Sequence, residues 1–233
     1  MQLTIDTSTD TASIAIVQNS EVIAELAWRC RENHTVELLP RLTQLLCETK
    51  LALRSANGII VAKGPGSYTG LRVGISIAKG LAFSLNIPIV AISTLEAEAY
   101  QHAEIGFPIC PIFNAGRGEI ATAMYQKKRN KWCQLTAEHV TTIETLCSRI
   151  TAKTLFCGEF TPVIATQLKK QLKQRVIILP SGSPSCRARF LAELGLKRLE
   201  ADDYDDLATL QPLYLRHPPI TKPKHRGESN VQK

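Results

Sequence analysis

The stretch from residue 59 to 93 constrains the fold more than any other. It reads "IIVA", then the glycine-rich turn "KGPGSYTG", then a helical pattern over 71–85, then "IPIVAIS". Two short apolar runs joined by a helix of that length pair in parallel through a right-handed crossover. The sheet so formed carries a helix on its face and needs a large apolar interior. With 44% hydrophobic residues in 233, the chain has enough apolar material for one or two such domains.

The flanking sequence extends this unit on both sides. Upstream, "LTIDTSTDTASIAIVQNSEVIAELAW" predicts three antiparallel strands, broken by the turn at Asp6 to Asp10 and by a hairpin at Asn19-Ser20. The segment "HTVELLPRLTQLLCETK" then places Leu38, Leu39, Leu42, Leu45 and Leu46 at helical spacing, with Pro40 expected to start or bend the helix. After about residue 105 the pattern restarts. "FPICPIFNAGRGEIATAMYQ" predicts two strands about a glycine turn, followed by helices over 142–150 and 163–173 and strands over 155–157 and 176–179.

Three antiparallel strands, helix, strand, helix, strand is the order of a ribonuclease-H-like lobe. Two such lobes make the α/β architecture of actin, sugar kinases and heat-shock ATPases, the actin-like ATPase (ASKHA) fold. The expected division is a first lobe over 1–105, a second over 106–216 whose last helix packs back on the first, and a basic flexible tail over 217–233.

Composition narrows the function classes. The opening "MQLTIDTSTD" lacks the basic and apolar pattern of a secretory leader, and no run of eighteen apolar residues occurs, so a cytoplasmic protein without a membrane span is expected. The seven cysteines are scattered without a CxxC pair, the pattern of reduced, mostly buried thiols. No two of the five histidines are three to five residues apart, so a helical two-histidine metal site is not expected. Arg216, Lys222, Lys224, Arg226 and Lys233 stand against Glu228 alone, which puts more than half of the net +7 charge at the end of the chain, where it can contact RNA or simply keep a polar tail solvated.

The glycine-rich turn invites comparison with phosphate loops, and it fits neither template. A Walker A loop needs four residues between its glycines followed by Lys and Ser or Thr, whereas Gly66 and Gly70 enclose three residues and lead into Leu71-Arg72. The same three-residue spacing fails a dinucleotide fingerprint. The turn still offers Ser67 or Thr69 as a helix N-cap. Behind it, Gly70, Gly74, Ala78 and Ala82 fall four apart, a stripe of small residues that permits close approach of another helix.

Asp6, at the end of the first strand and beside Thr7, stands where two-lobed kinases carry a carboxylate for magnesium-bound phosphates; alternatively it satisfies its own turn. The matching turn of the second lobe offers Asn114, a weaker magnesium ligand than a carboxylate.

Taken together, "IDTSTDTASIAI", "HTVELLP", "KGPGSYTGLRVGISIAKGLAFSLNIPIVAISTLEA", "GRGEI" and "PLYLR" resemble the TsaB (YeaZ) family, specifically over most of residues 1–120 and loosely beyond. The resemblance implies an ASKHA fold and a part in making threonylcarbamoyladenosine next to the anticodon of tRNAs that read codons beginning with A. It implies a partner paralogue, TsaD, which carries a metal on a His-x-x-x-His pair, where Thr94 and Glu98 stand here. Catalytic and metal residues are accordingly expected to be absent.

The resemblance also implies self-association, recruitment of the small P-loop ATPase TsaE, contact with tRNA through the complex, and no membrane partner. The interface is expected on Leu38, Leu42, Leu45, Leu46, Leu71, Gly74, Ile75, Ala78 and Ala82. A vestigial nucleotide site is expected at Asp6, Thr7 and Asn114, with no tightly bound cofactor and at most weak ATP or ADP binding between the lobes or at the partner interface. Asn114-Ala115-Gly116 departs from the family's Asp-Ala-Arg, and the tail after Arg216 lies outside its pattern. The competing reading is an autonomous actin-like kinase using Asp6, or a metallopeptidase.

Overall fold

A computed structural model describes residues 1–31, 33–179 and 186–216; the basic tail lies outside the described residues. The first sheet is built from β1 (Gln2–Asp6), β2 (Thr11–Gln18), β3 (Glu21–Arg29), β4 (Gly58–Gly64) and β5 (Ile89–Ser93), in the order β3-β2-β1-β4-β5. β1 to β3 are antiparallel, and β4 and β5 join in parallel beside β1. The second sheet repeats the scheme with β6 (Ile109–Gly116), β7 (Glu119–Lys128), β8 (Lys131–Thr141), β9 (Thr154–Glu159) and β10 (Val176–Ile178), in the order β10-β9-β6-β7-β8.

Helices cover the sheets because the central strands are apolar on both faces. α1 (His34–Thr49) and α2 (Tyr68–Leu85) close one face of the first sheet over Leu3, Ile5, Ile59 and Val61. α6 (Arg187–Glu200) closes the other, with Leu191, Ala192 and Leu194 on Ile60, Ala62, Val90 and Ile92, so the last helix packs on the first sheet. α3 (Thr94–Tyr100) sits between the two sheets: Ala97 faces the first, while Leu95 and Ala99 face Ile109, Phe113 and Leu155 of the second. α4 (Ile143–Arg149) and α5 (Pro162–Leu172) cover the far face of the second sheet. No helix among the described residues is long and apolar enough to cross a membrane.

Local chemistry sets the boundaries. Asn19 and Ser20 turn the first hairpin with φ of 52° and 63°, the doubly left-handed geometry that matches strand twist. Arg129 and Asn130 do the same between β7 and β8, at φ of 47° and 65°. α1 is capped by the Asn33 side chain, which accepts from the Val36 amide at 3.1 Å, and it runs through Pro40 rather than starting there. Ser67 is the N-cap of α2, accepting from the Gly70 amide at 3.2 Å. β8 was not anticipated: apolar and polar residues alternate only over 133–138, and the strand lies on a sheet edge with no residue fully buried. The Lys127-Lys128-Arg129-Lys131 cluster surrounds the turn between β7 and β8.

The residues expected at an interface lie largely inside this chain. Leu38, Leu42, Leu45, Leu71, Gly74, Ile75, Ala78 and Ala82 are all buried within this chain, and Leu46 is half-buried at their margin. The chain's own first sheet covers the apolar sides of both helices, leaving Val36, Leu39 and Phe83 exposed on their outer sides.

The glycines have a different partner from the expected helix. A Cβ at Gly66 would strike the carbonyl oxygen of Ser8, one at Gly70 that of Thr7, and one at Gly74 the Thr7 hydroxyl. The turn after β1 is pressed into the start of α2, and the Ser67 amide donates to the Ser8 carbonyl at 2.6 Å. Gly80, farther along α2, has nothing within 4 Å of an added Cβ. Gly70→Ala should therefore destabilise the chain by about 2 kcal/mol or more through overpacking against backbone. Gly80→Ala should stabilise it by about 0.5–1 kcal/mol through helix propensity. Urea unfolding midpoints of the two variants check the opposite signs.

Candidate interlobe site

The first residue of α6 determines the character of the junction between the sheets. Arg187 is 3% exposed, and all five of its N–H groups find acceptors. Nε donates to Asp6 Oδ2 at 2.8 Å; Nη1 donates to Glu98 Oε2 at 3.3 Å and to Glu159 Oε1 at 3.0 Å. Nη2 donates to the Thr9 hydroxyl and to the Thr11 carbonyl. The acceptors come from the end of β1, the turn behind it, β2, α3 and the end of β9. The Phe113 ring of β6 lies under the guanidinium, 5.6 Å from Cζ. Thr9 also donates to Glu159 at 2.6 Å, a second link from the first-sheet turn to the second sheet.

Three carboxylates share one guanidinium here, and the electrostatics follow from that count. Burial opposes the charge on Arg187, but Asp6, Glu98 and Glu159 outweigh it and hold the group firmly protonated. Burial also pushes the Glu98 carboxyl up, with Arg187 opposing it and Glu159 and Asp6 adding to the rise. One cation shared among three carboxylates offsets only part of the burial cost at Glu98.

The expected nucleotide residues are dispersed by this arrangement. Asp6 is fully buried; Oδ1 accepts from the Ser8 amide at 2.9 Å and the Ser8 hydroxyl at 2.6 Å, and Oδ2 accepts from Arg187. Thr7 donates to the Gly70 carbonyl at 2.7 Å. Asn114 is exposed, folds back on the Gly116 amide at 2.8 Å, and lines a cleft of about 260 Å³ with Pro65, Gly66, Tyr68, Phe113 and Tyr214. Asp6 is not among the residues lining that cleft. A magnesium-bound phosphate at Asp6 would have to displace a buried guanidinium, so these residues do not fit a magnesium nucleotide.

Thr94 and Glu98 are both buried on α3. The Thr94 hydroxyl has no partner among the described residues, whereas Glu98 is held by Arg187 and by the Gln101 amide at 2.7 Å. His34 is buried against Gly70, and its pKa is lowered chiefly by that burial.

Known proteins place this geometry. The family model described as "TsaD: tRNA N6-adenosine threonylcarbamoyltransferase" matches residues 23–220. A Bacillus subtilis protein named "tRNA threonylcarbamoyladenosine biosynthesis protein TsaB" is 36% identical over 92% of this chain and 93% of its own length. The chain belongs to the TsaB (YeaZ) family. YeaZ from Pseudomonas aeruginosa matches 91% of this chain and 98% of its own with a TM-score of 0.77 at 24% identity. The ROK hexokinase of Thermus thermophilus matches 87% and 99% with a TM-score of 0.51 at 9% identity. The two ribonuclease-H-like lobes of the actin-like ATPase fold are thus shared with proteins of very different sequence.

Sequence reasoning found Asp6, Thr7 and Glu98 but missed Arg187, Thr9 and Glu159. Arg187 lies in "CRARFLAEL", beside a second arginine, Arg189, that is half-exposed on the helix surface. Nothing local separates the two. Replacing Arg187 by Met should cost about 3–5 kcal/mol, because it leaves Asp6 and Glu98 buried without their cation. Glu159→Gln should cost no more than about 1 kcal/mol, since its side chain is 43% exposed. Adding Asp6→Asn and Glu98→Gln to Arg187→Met should recover part of the loss, which denaturant unfolding of the set would reveal.

Proposed function

We propose that this chain serves tRNA threonylcarbamoyladenosine biosynthesis as a non-catalytic subunit, lending a helical surface to a TsaD-type paralogue on which the threonylcarbamoyl group passes to the adenosine amine. Membership of the TsaB family supports the pathway, and the matching TsaD family model makes a structurally related partner reasonable. The observation that carries the non-catalytic reading is the Arg187 guanidinium seated on Asp6, in the place where a phosphate-transferring relative needs an available carboxylate. Thr94 points the same way, because a buried hydroxyl is a poor metal ligand and Glu98 alone does not replace a pair of imidazoles.

The contact surface for the paralogue, for a second copy of the chain and for recruitment of TsaE is assigned to the outer sides of α1 and α2. Phe83 there is 79% exposed, Val36 49% and Leu39 45%. Large apolar side chains left bare on neighbouring helices are the anchors a helix–helix interface uses. An autonomous kinase would need Asp6 available, and a metallopeptidase would need better ligands than Thr94 and Glu98. RNA contact through the basic tail is a property of residues outside those described.

Reconstitution tests the reading. Threonylcarbamoyladenosine formation on tRNA by TsaD, TsaE and a threonylcarbamoyl-adenylate synthase should fall at least about tenfold when this chain is omitted. Undiminished multiple-turnover synthesis without it would contradict the proposal. Leu39→Glu combined with Phe83→Glu should abolish association with TsaD while leaving the unfolding midpoint of the isolated chain nearly unchanged, because both side chains are exposed. Persistent association would move the interface elsewhere.

A further inference from the structure

Beyond that role, the junction carries a second constellation that the Arg187 network touches only at its edge. Glu98 in α3, His102 just past its end and Cys157 in β9 bring a carboxylate oxygen, an imidazole nitrogen and a thiol sulfur to within 4.8 Å of one another. We infer that these three residues form a binding site for a single zinc-class divalent cation that ties α3 to the second sheet.

The donor chemistry selects the ion. Imidazole, thiolate and carboxylate together are a mixed nitrogen, sulfur and oxygen set that suits zinc and excludes the all-oxygen ions magnesium and calcium. Ligand atoms sharing a tetrahedral zinc stand about 3.3–3.8 Å apart, given bond lengths near 2.0–2.3 Å. The three donors therefore need to close by about 1–1.5 Å at most, within the range of small side-chain torsions.

Each donor is also available. The His102 ring makes no hydrogen bond to the described residues, although it is half-buried. The Cys157 sulfur makes only a long contact, 3.8 Å, to the Glu98 carbonyl oxygen. Glu98 spends one position on Gln101 and one on Arg187, and a carboxylate offers about four lone-pair directions.

Charge gives an independent reason for a cation here. Asp6, Glu98 and Glu159 converge on the single guanidinium of Arg187, leaving the junction with more negative than positive formal charge. A divalent ion held beside Glu98 offsets that excess without disturbing Arg187. The half-buried His102 gives an approach from solvent, while Glu98 and Cys157 are buried, so the ion would be largely enclosed once bound. Three protein ligands leave a fourth position for water.

The test uses the full chain carrying Cys47→Ser, because Cys47 is exposed and could bind metal on its own. Zinc binding is followed by competition with a chromophoric chelator, and cobalt is the spectroscopic probe. The expected result is one equivalent of zinc per chain, and a near-ultraviolet thiolate-to-cobalt charge-transfer band that saturates at the same ratio. Cys157→Ser should abolish the band. His102→Ala, at a position that tolerates truncation more readily, should weaken zinc binding at least about tenfold while the unfolding midpoint without metal stays close to that of the parent. Absence of one-to-one binding, or binding unaltered by both substitutions, would overturn the inference and leave the excess negative charge to a proton. Because every reading is made on the isolated chain, failure here leaves the proposed subunit role untouched, and failure of reconstitution leaves this site untouched.

Discussion

The buried guanidinium of Arg187 is the interaction on which the arrangement of the two lobes depends. A cation with five fixed donors can be buried only where five acceptors converge, and here they come from the end of β1, the turn behind it, β2, α3 and β9. That requirement links the two sheets at one point and fixes where α6 begins. It also decides the chemistry of the junction. Asp6 sits at the end of the first strand, as a phosphate-handling protein of this fold would have it, but its two oxygens are taken up by Ser8 and Arg187. The carboxylate at the end of β1 is bound from within the chain, by the guanidinium at the start of α6.

A second constraint acts beside the first. The turn holding Thr7 and Ser8 approaches α2 so closely that only glycine fits at 66, 70 and 74. The loop that suggested a phosphate cradle is a seat for the chain's own backbone. The same turn supplies Thr9 to Arg187 and to Glu159, so the glycine seat and the arginine network hold one short segment from two sides.

Much of the fold was legible in the sequence because its signals are local. The apolar runs flanking α2, the Asn19-Ser20 hairpin and the leucine period of α1 each depend on neighbours in the chain. β8 was missed because its alternation is confined to 133–138 and no residue of this edge strand is fully buried, so its apolar positions are few and weak. The small-residue and leucine stripes were legible as buried faces, but periodicity shows only that a face is covered, not by what; the first sheet covers them. At the junction, Asp6 was found through its place at the end of a predicted strand, and Glu98 only through the family resemblance. Arg187 was not, because it lies 181 residues from Asp6 and differs from the half-exposed Arg189 only in which way the helix turns it.

With Asp6 held by Arg187, a magnesium nucleotide finds no free carboxylate at the end of β1, and the proposed contact surface lies on the outer sides of α1 and α2. The most direct measurement is calorimetric titration of magnesium-ATP into the isolated chain. The account predicts no saturable binding up to about 1 mM. A magnesium-dependent single site with an affinity near about 10 μM, lost in Asp6→Asn, would contradict it.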